Sequence, residues 1–366
     1  MKIIIAGGGT GGHLFPGIAV AEEFLKRDPA NSILFAGTRH GIEARVIPRE
    51  GYKIRFLKAE GMVGRSFFRQ IKAGFLFIFS LFQAIRIITT ERPDIVIGVG
   101  GYASAGMVLA ARIRRVTTVV MEQNSVPGFA NRFLGRFAGA IAVTYQESFS
   151  YFDRDRTFLT GNPVRKSILS KDSPAGGRAY TTGNDRFNVL VFGGSQGARA
   201  INRAITEALN YLLDLRQNIQ FIHQTGECEL KAAADAYRRL GFKGTVEPFI
   251  YRMSDAYEAA DMVICRAGAT TLAEVTATGK AAVLIPYPFA ASNHQEFNAR
   301  KLEDMGAAIV ILERQLTGEN LAKAIRELYE NGDRRAQIQK ASKVIGRTDA
   351  AERIVDLAIS LSRNKR

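Results

Sequence analysis

The chain has 366 residues, 46% hydrophobic and 23% charged, enough for two domains with buried cores. Its 50 Lys and Arg against 35 Asp and Glu leave a formal net charge of +15, which points to anionic partners: nucleic acid, phosphorylated substrates or an anionic bilayer face. Two cysteines without metal-ligand spacing fit a reducing compartment, and neither a signal-peptide pattern nor an apolar run of the roughly 18–20 residues that span a bilayer is present.

In chain order, the apolar strand Ile3–Ala6 runs into Gly7-Gly8-Gly9-Thr10-Gly11-Gly12-His13, and an amphipathic helix follows over about Phe15 to Lys26. Glycine lets backbone N–H groups approach an anion, and a helix N-terminus adds about half a positive charge. Gly7, Gly9 and Gly12 satisfy the dinucleotide fingerprint, but that motif needs a carboxylate about 20 residues further on to hold a ribose. Here the second strand ends Ala36-Gly37-Thr38-Arg39, with no acid, and His13 and Pro16 sit where a hydride-transfer enzyme would want only backbone. A nicotinamide site is therefore disfavoured.

Short β-branched runs then alternate with helical stretches. Ser32–Ala36, Ile54–Leu57, Ile95–Gly98, Thr118–Met121 and Ala140–Val143 read as strands of a parallel sheet with crossover helices. Leu169–Arg186, rich in Ser, Gly, Asp and Thr, reads as a linker. The opening pattern then repeats: strand Asn188–Phe192, glycine turn Gly193–Ala198, and a helix over Ala200–Leu215. Ile219–His223, Thr245–Val246, Met262–Cys265, Ala281–Ile285 and Ala308–Leu312 continue the alternation, and Ala350–Ser362 is helical. The expected architecture is two doubly wound α/β domains with a cleft between them, over residues 1–162 and 163–349, with a C-terminal helix over 350–366 that packs back on the first domain. The first domain carries 21 Lys and Arg against 12 Asp and Glu, so positive charge is denser there.

Four further loops lie where strands end. Gly98–Ser104 is a third glycine turn, containing Gly100, Gly101 and Tyr102; Met121-Glu122-Gln123-Asn124 leads to a helix bearing Asn131 and Arg132. Cys265-Arg266-Ala267-Gly268-Ala269-Thr270-Thr271 opens a helix with Glu274 near its first turn, and Pro286–Pro288 leads to His294, Gln295 and Asn298. Each has a plain structural reading: Glu274 as an acid complementing the helix dipole, Thr270 as a cap, Asn124 and Asn131 as turn and helix residues, and His294 as a surface residue. Glu122 is harder to dismiss, because an unpaired buried carboxylate is costly.

Together, Gly8–Pro16, Gly100–Ser104, Glu122–Arg132, Gly161–Arg165, Gly193–Asn202, Arg266–Glu274 and Gln295–Ala299 resemble the MurG family of peptidoglycan N-acetylglucosaminyltransferases, in order and across almost the whole chain. Met121 replaces the histidine expected before Glu-Gln-Asn, and Gly106 stands where a proline is common. The resemblance implies two Rossmann-like domains facing a cleft (glycosyltransferase B architecture). It also implies inverting transfer of N-acetylglucosamine from UDP-N-acetylglucosamine to the muramyl sugar of undecaprenyl-pyrophosphate lipid I, giving lipid II. His13 and Glu122 are then the catalytic candidates, with His13 either the general base or a positioning group. Thr10, Gly11, Gly12, Asn124, Arg165, Ser195, Ile250, Arg266, Gly268, Ala269, Thr270, Glu274, Gln295 and Asn298 fall on the donor side. Gly100, Gly101, Tyr102 and Asn131 fall on the acceptor side. The resemblance implies no metal and no cofactor, and Asp153-Arg154-Asp155 reads as a solvated turn.

The stretch Ala73–Phe82 is the most apolar in the chain and is flanked by Arg65, Arg69, Lys72 and Arg86. A buried helix is the plain reading. Phe75, Leu76, Phe79 and Phe82 are instead the expected contact with an anionic membrane, at the cytoplasmic face of the bacterial inner membrane. Two rivals remain: a UDP-sugar epimerase of the same shape, in which His13 would lack a purpose, and a nucleic-acid-binding module. The second predicts aromatic and basic residues interleaved on one surface, whereas the aromatics here cluster with aliphatics.

Overall fold

A computed structural model describes residues 1–58, 67–170, 180, 186–194 and 196–363, with the side chains of 67–75 left aside. The chain divides into two compact units, Met1–Arg165 with Thr348–Arg366, and Lys166–Arg347.

In the first unit, seven parallel strands lie in the order β3-β2-β1-β4-β5-β6-β7: β1 Lys2–Gly7, β2 Ser32–Gly37, β3 Lys53–Phe56, β4 Ile95–Gly100, β5 Thr117–Glu122, β6 Ala140–Val143 and β7 Thr157–Leu159. Its helices are α1 Gly11–Arg27, α2 Glu43–Arg49, α3 Phe67–Glu91, α4 Tyr102–Ile113 and α5 Phe129–Leu134. The order reverses at β1/β4, so the carboxyl ends of those two strands form the unit's switch point, where such sheets place function. Both faces are covered: Ile3 and Ile5 pack under α1, and Ile4 and Ala6 pack on the α4 side. This two-sided burial is why the strands read as continuous apolar runs.

The short helix α6, Lys166–Leu169, begins the second unit. Its six parallel strands run β10-β9-β8-β11-β12-β13: β8 Phe187–Phe192, β9 Ile219–Gln224, β10 Lys243–Glu247, β11 Met262–Cys265, β12 Ala281–Leu284 and β13 Ile309–Val310. The helices are α7 Arg199–Ala208, α8 Leu230–Leu240, α9 Met253–Ala259, α10 Ala269–Thr278, α11 His294–Asp304, α12 Gly318–Glu330 and α13 Gly332–Ile345. The helix expected over Ala200–Leu215 stops at Ala208 and continues as two single 3₁₀ turns, Leu209–Tyr211 and Leu213–Leu215.

The last helix, α14 Ala350–Arg363, returns to the first unit. Ile354, Val355 and Ala358 join the core formed by β1 and α1. Lys26 Nζ meets Glu352 at 3.0 Å, and Arg27 pairs with Asp356. The apolar face supplies most of the docking energy, because ion pairs this exposed contribute about 0–1 kcal/mol each.

On α3 the structure separates two faces of a stretch that reads as apolar all round. Ser80, Ala84 and Ile88 are buried against the unit, whereas Ile78, Phe79 and Phe82 are 53%, 47% and 68% exposed. A Cβ on Gly106 of α4 would lie 3.2 Å from Ser80 Oγ, so glycine at that position permits the close α3–α4 approach. Leu76 is half-buried, and the Phe75 side chain lies outside the described residues. Among the described residues, no helix is long and apolar enough to cross a membrane.

Candidate functional site

The first glycine turn sits at the β1/β4 switch point. Gly7, Gly8 and Gly9 have φ of +145°, +142° and +84°, and Thr10 caps α1 through its backbone. The third glycine turn packs directly against it. A Cβ on Gly7 would meet the Gly100 carbonyl at 2.3 Å, and one on Gly101 would meet the Gly8 carbonyl at 2.8 Å. A Cβ on Gly100, itself at φ +105°, would lie 2.6 Å from His13 Cδ2. The imidazole of His13 therefore lies over the Gly100 backbone, a position only glycine leaves open. Its Nδ1 is 3.3 Å from the Gly8 carbonyl oxygen. Gly11 and Gly12 begin α1 beside it, and Tyr102 is exposed at the start of α4.

This turn also contains an anion of its own. Glu43, the first residue of α2 and only 1% exposed, accepts from Gly9 N–H at 2.7 Å through Oε2, and from Thr38 N–H and Oγ at 2.8 and 2.9 Å through Oε1. The carboxylate missing from the end of β2 thus comes from a few residues further along and takes a backbone donor that a phosphate would otherwise use. Sequence reading missed Glu43; the signal was Gly37 and Gly41, where a Cβ would lie 2.5 Å from Glu43 Cγ and 2.0 Å from Oε2.

Glu122, the other catalytic candidate, is enclosed by hydrogen-bond donors. At the end of β5 its Oε1 accepts from Asn124 N–H at 2.8 Å and Asn124 Nδ2 at 3.2 Å, and its Oε2 from Asn131 Nδ2 at 2.9 Å and Gly128 N–H at 3.2 Å. Burial pushes its carboxyl above the usual range, against the pull of these bonds from Asn124, Asn131 and Gly128. Four bonds use the acceptor capacity of a carboxylate. Glu122 thus organises the loop to α5, with the Nδ2 groups of Asn124 and Asn131 donating to it. Asn131, at 4% exposure, also bonds the Met121 carbonyl.

In the second unit the loops cluster at the carboxyl ends of β8, β9, β11 and β12. Gln224 bridges two of them: its Nε2 donates to the Gly194 carbonyl at 2.7 Å, and its Oε1 accepts from Ile250 N–H at 2.8 Å. Ile250, expected to show its backbone to a base, therefore has its N–H already committed. Behind them, the buried imidazole of His223 lies 3.2 Å from Tyr237 Oη and 3.1 Å from Asn202 Oδ1, and Asn202 Nδ2 donates to the Thr225 carbonyl. Asn202 Oδ1 only accepts here, so Nε2 carries the proton, and burial pulls the His223 pKa down to about 3.

The Gly268-Ala269-Thr270 stretch forms the N-terminus of α10, with Gly268 as N-cap. Glu274 lies in the second turn rather than the first, buried, with Tyr257 Oη donating to it at 3.3 Å. Arg266 is paired: Nη1 contacts Glu313 at 2.5 Å and the Ile285 and Pro286 carbonyls at 3.3 and 3.2 Å, and the guanidinium lies over Tyr287. Its charge is therefore already offset. Gln295 Oε1 accepts from Tyr287 N–H at 3.0 Å, and Asn298 is fully buried. Arg165, in the first unit, stacks on the Phe15 ring at 4.0 Å. Ser195 lies outside the described residues. Asp153 caps the 3₁₀ turn Arg154–Arg156, accepting from Asp155 N–H and from Arg156, and among the described residues no cluster of His, Cys, Asp and Glu could hold a metal ion.

Comparison with known proteins matches both halves of the chain. Residues 3–143 match the glycosyltransferase family 28 N-terminal domain, and residues 188–354 the family's C-terminal domain. The UDP-N-acetylglucosamine--N-acetylmuramyl-(pentapeptide) pyrophosphoryl-undecaprenol N-acetylglucosamine transferase of Thermodesulfovibrio yellowstonii is 50% identical over 366 residues, covering 100% of both chains. The protein of the same name in Geobacter sulfurreducens is 47% identical over 365 residues, again covering 100% of both. The crystal structure of Acinetobacter baumannii MurG is 28% identical, with a TM-score of 0.72 over 98% of this chain and 99% of that one. A putative UDP-N-acetylglucosamine 2-epimerase from Listeria monocytogenes also gives a TM-score of 0.72, over 100% of this chain and 97% of its own, but at 15% identity that likeness shows the fold alone. The chain belongs to glycosyltransferase family 28, within its MurG branch of N-acetylglucosaminyltransferases.

Proposed function

We propose that this chain moves N-acetylglucosamine from UDP-N-acetylglucosamine to the muramyl sugar of lipid I, giving lipid II with inversion at the anomeric carbon. The observation that carries this reading is His13, laid over Gly100 at the switch point of the first unit, with Nδ1 facing the Gly8 carbonyl. Inversion by a single displacement needs a base for the acceptor hydroxyl and donors for departing UDP. His13 serves as the base. Glu122 is spent on its loop and shapes the neighbouring acceptor surface with Gly100, Gly101, Tyr102 and Asn131.

The second unit takes UDP. The N-terminus of α10 at Gly268–Thr270 supplies N–H donors and a positive dipole end for the pyrophosphate, work that a divalent metal performs elsewhere. Glu274 and Gln295 hold sugar and ribose hydroxyls. Arg266, already paired with Glu313, shapes the 285–287 turn more than it neutralises charge. The transfer is expected to be independent of divalent metal. Incubation with labelled UDP-N-acetylglucosamine and a lipid-pyrophosphate acceptor tests this reading: labelled lipid product with matching UDP release is expected, unchanged by chelator. UDP release without labelled lipid would refute it, and loss of activity with chelator would refute its metal-free part.

The exposed face of α3 docks the enzyme on the anionic inner leaflet where its acceptor is anchored. Ile78, Phe79 and Phe82 face solvent, Lys58 Nζ lies 5.4 Å from the Phe79 ring, and Arg86 is exposed. Replacing Phe79 and Phe82 together with serine should weaken partition onto anionic vesicles about 30- to 1,000-fold, since each exposed ring contributes about 1–2 kcal/mol on insertion. Unchanged partition by a folded variant would contradict the docking.

A further inference from the structure

One peptide group in the first glycine turn is bonded at both ends. Its N–H, that of Gly9, donates to Glu43 Oε2 at 2.7 Å, and its carbonyl, that of Gly8, faces His13 Nδ1 at 3.3 Å. A carbonyl only accepts, so Nδ1 carries the proton and the neutral ring keeps its lone pair on Nε2. Hydrogen bonds in series polarise one another: an anion drawing on the N–H makes the same peptide's oxygen a better acceptor.

The placement of Glu43 is over-determined. Thr38 holds its other oxygen through both N–H and hydroxyl, and a Cβ on Gly8 would come within 2.4 Å of the carboxyl carbon. A negative charge buried this deeply is retained at a cost, offset here by three hydrogen bonds of about 2.7–2.9 Å. The Gly8 carbonyl is fixed from its other side by Gly101, whose own Cβ would lie 2.8 Å from it. The peptide therefore has one orientation.

We propose that Glu43 is a positioning residue for His13, acting through the Gly8–Gly9 peptide to select the tautomer whose Nε2 takes the proton. The inference rests on the reading of His13 as general base. In the transfer step, the acceptor oxygen bonds to the anomeric carbon as the bond from that carbon to the UDP oxygen breaks. The hydroxyl proton ends on Nε2, Nδ1 keeps its own, and Glu43 gains none. The imidazolium that forms still donates from Nδ1 to the Gly8 carbonyl, whose negative end the buried carboxylate has strengthened. The arrangement serves the purpose of a carboxylate behind a catalytic histidine, with a peptide group interposed.

The chain has four histidines, so ¹⁵N NMR of the full chain labelled at histidine can resolve His13, assigned by its loss in His13→Gln. The wild type should show the tautomer protonated at Nδ1; the Nε2-protonated form would overturn the proposal before any variant of Glu43 is made. In Glu43→Gln, one amide cannot accept from both Gly9 and Thr38, and the His13 signals should move toward a tautomer mixture. kcat should fall about 10- to 100-fold, as when other partners behind a histidine are removed, while KM for UDP-N-acetylglucosamine stays within about twofold. A folded Glu43→Gln with an unchanged His13 spectrum would overturn the proposal, whatever its rate. Full transfer by His13→Gln would instead defeat the general-base reading, a result distinct from either NMR outcome.

Discussion

The chain uses the same glycine signal twice, and the two turns come to opposite ends. In the first unit, Glu43 fills the space behind the turn and takes the Gly9 N–H, so the turn is organised around an internal anion and presents an imidazole. In the second, the described contacts behind the turn come from neutral amides: Gln224 reaches the Gly194 carbonyl, and Asn202 ties the neighbouring Thr225 carbonyl. In the first turn a carboxylate takes the Gly9 N–H, whereas in the second the Gly197 N–H is taken within the turn by the Gly194 carbonyl at 3.0 Å. What packs behind a glycine turn, more than the glycine count, decides whether it suits a phosphate.

Each turn can be broken at one atom. Gly197 has φ +76°, and a Cβ there would lie 1.9 Å from the Thr225 carbonyl oxygen. Gly197→Ala should therefore cost about 3 kcal/mol of stability and weaken UDP binding, measured by chemical denaturation and calorimetry. Gly100→Ala pushes a methyl into His13 instead. It should lower kcat about 100-fold, or about 2.7 kcal/mol, and leave UDP affinity within about twofold. If both variants lost UDP binding equally, the division of labour between the turns would not hold.

The bracing of the second turn has a pH signature. His223 has a folded-state pKa of about 3 against an unfolded value near 6.5. Between those values the unfolded chain binds a proton that the folded chain refuses. This contribution is therefore fully present above about pH 6.5 and is lost as pH falls toward about 3, at about 1.4 kcal/mol per pH unit. A His223→Gln variant should show an acid unfolding slope shallower by about that amount. An unchanged slope would mean that the imidazole is not held neutral.

Most strands were legible because a parallel strand covered on both faces leaves an unbroken apolar run, as at Ile95–Gly98 and Asn188–Phe192. β7 was not, because it is a three-residue edge strand, Thr157–Leu159, directly after the charged turn at Asp153–Arg156. The site loops were legible by position, since strand ends announce them, but the side-chain assignments were less so. Glu122, a catalytic candidate, and Asn131, an acceptor-side one, are joined in three dimensions by a hydrogen bond from Asn131 Nδ2 to Glu122 Oε2 at 2.9 Å. Asn298, expected on the donor side, is fully buried, which its polar helix does not announce. Glu43 was missed because its tie to the first turn, the Gly9 N–H, lies 34 residues upstream, a distance that no local periodicity spans; the local signal was the pair Gly37 and Gly41 around Thr38.

The most direct measurement is steady-state transfer by His13→Gln beside its UDP affinity. The account predicts a kcat about 10²–10⁴-fold lower, the contribution of a general base, with the Kd for UDP within about twofold of the wild type. Wild-type turnover by this variant, or a loss explained wholly by weaker UDP binding, would contradict it.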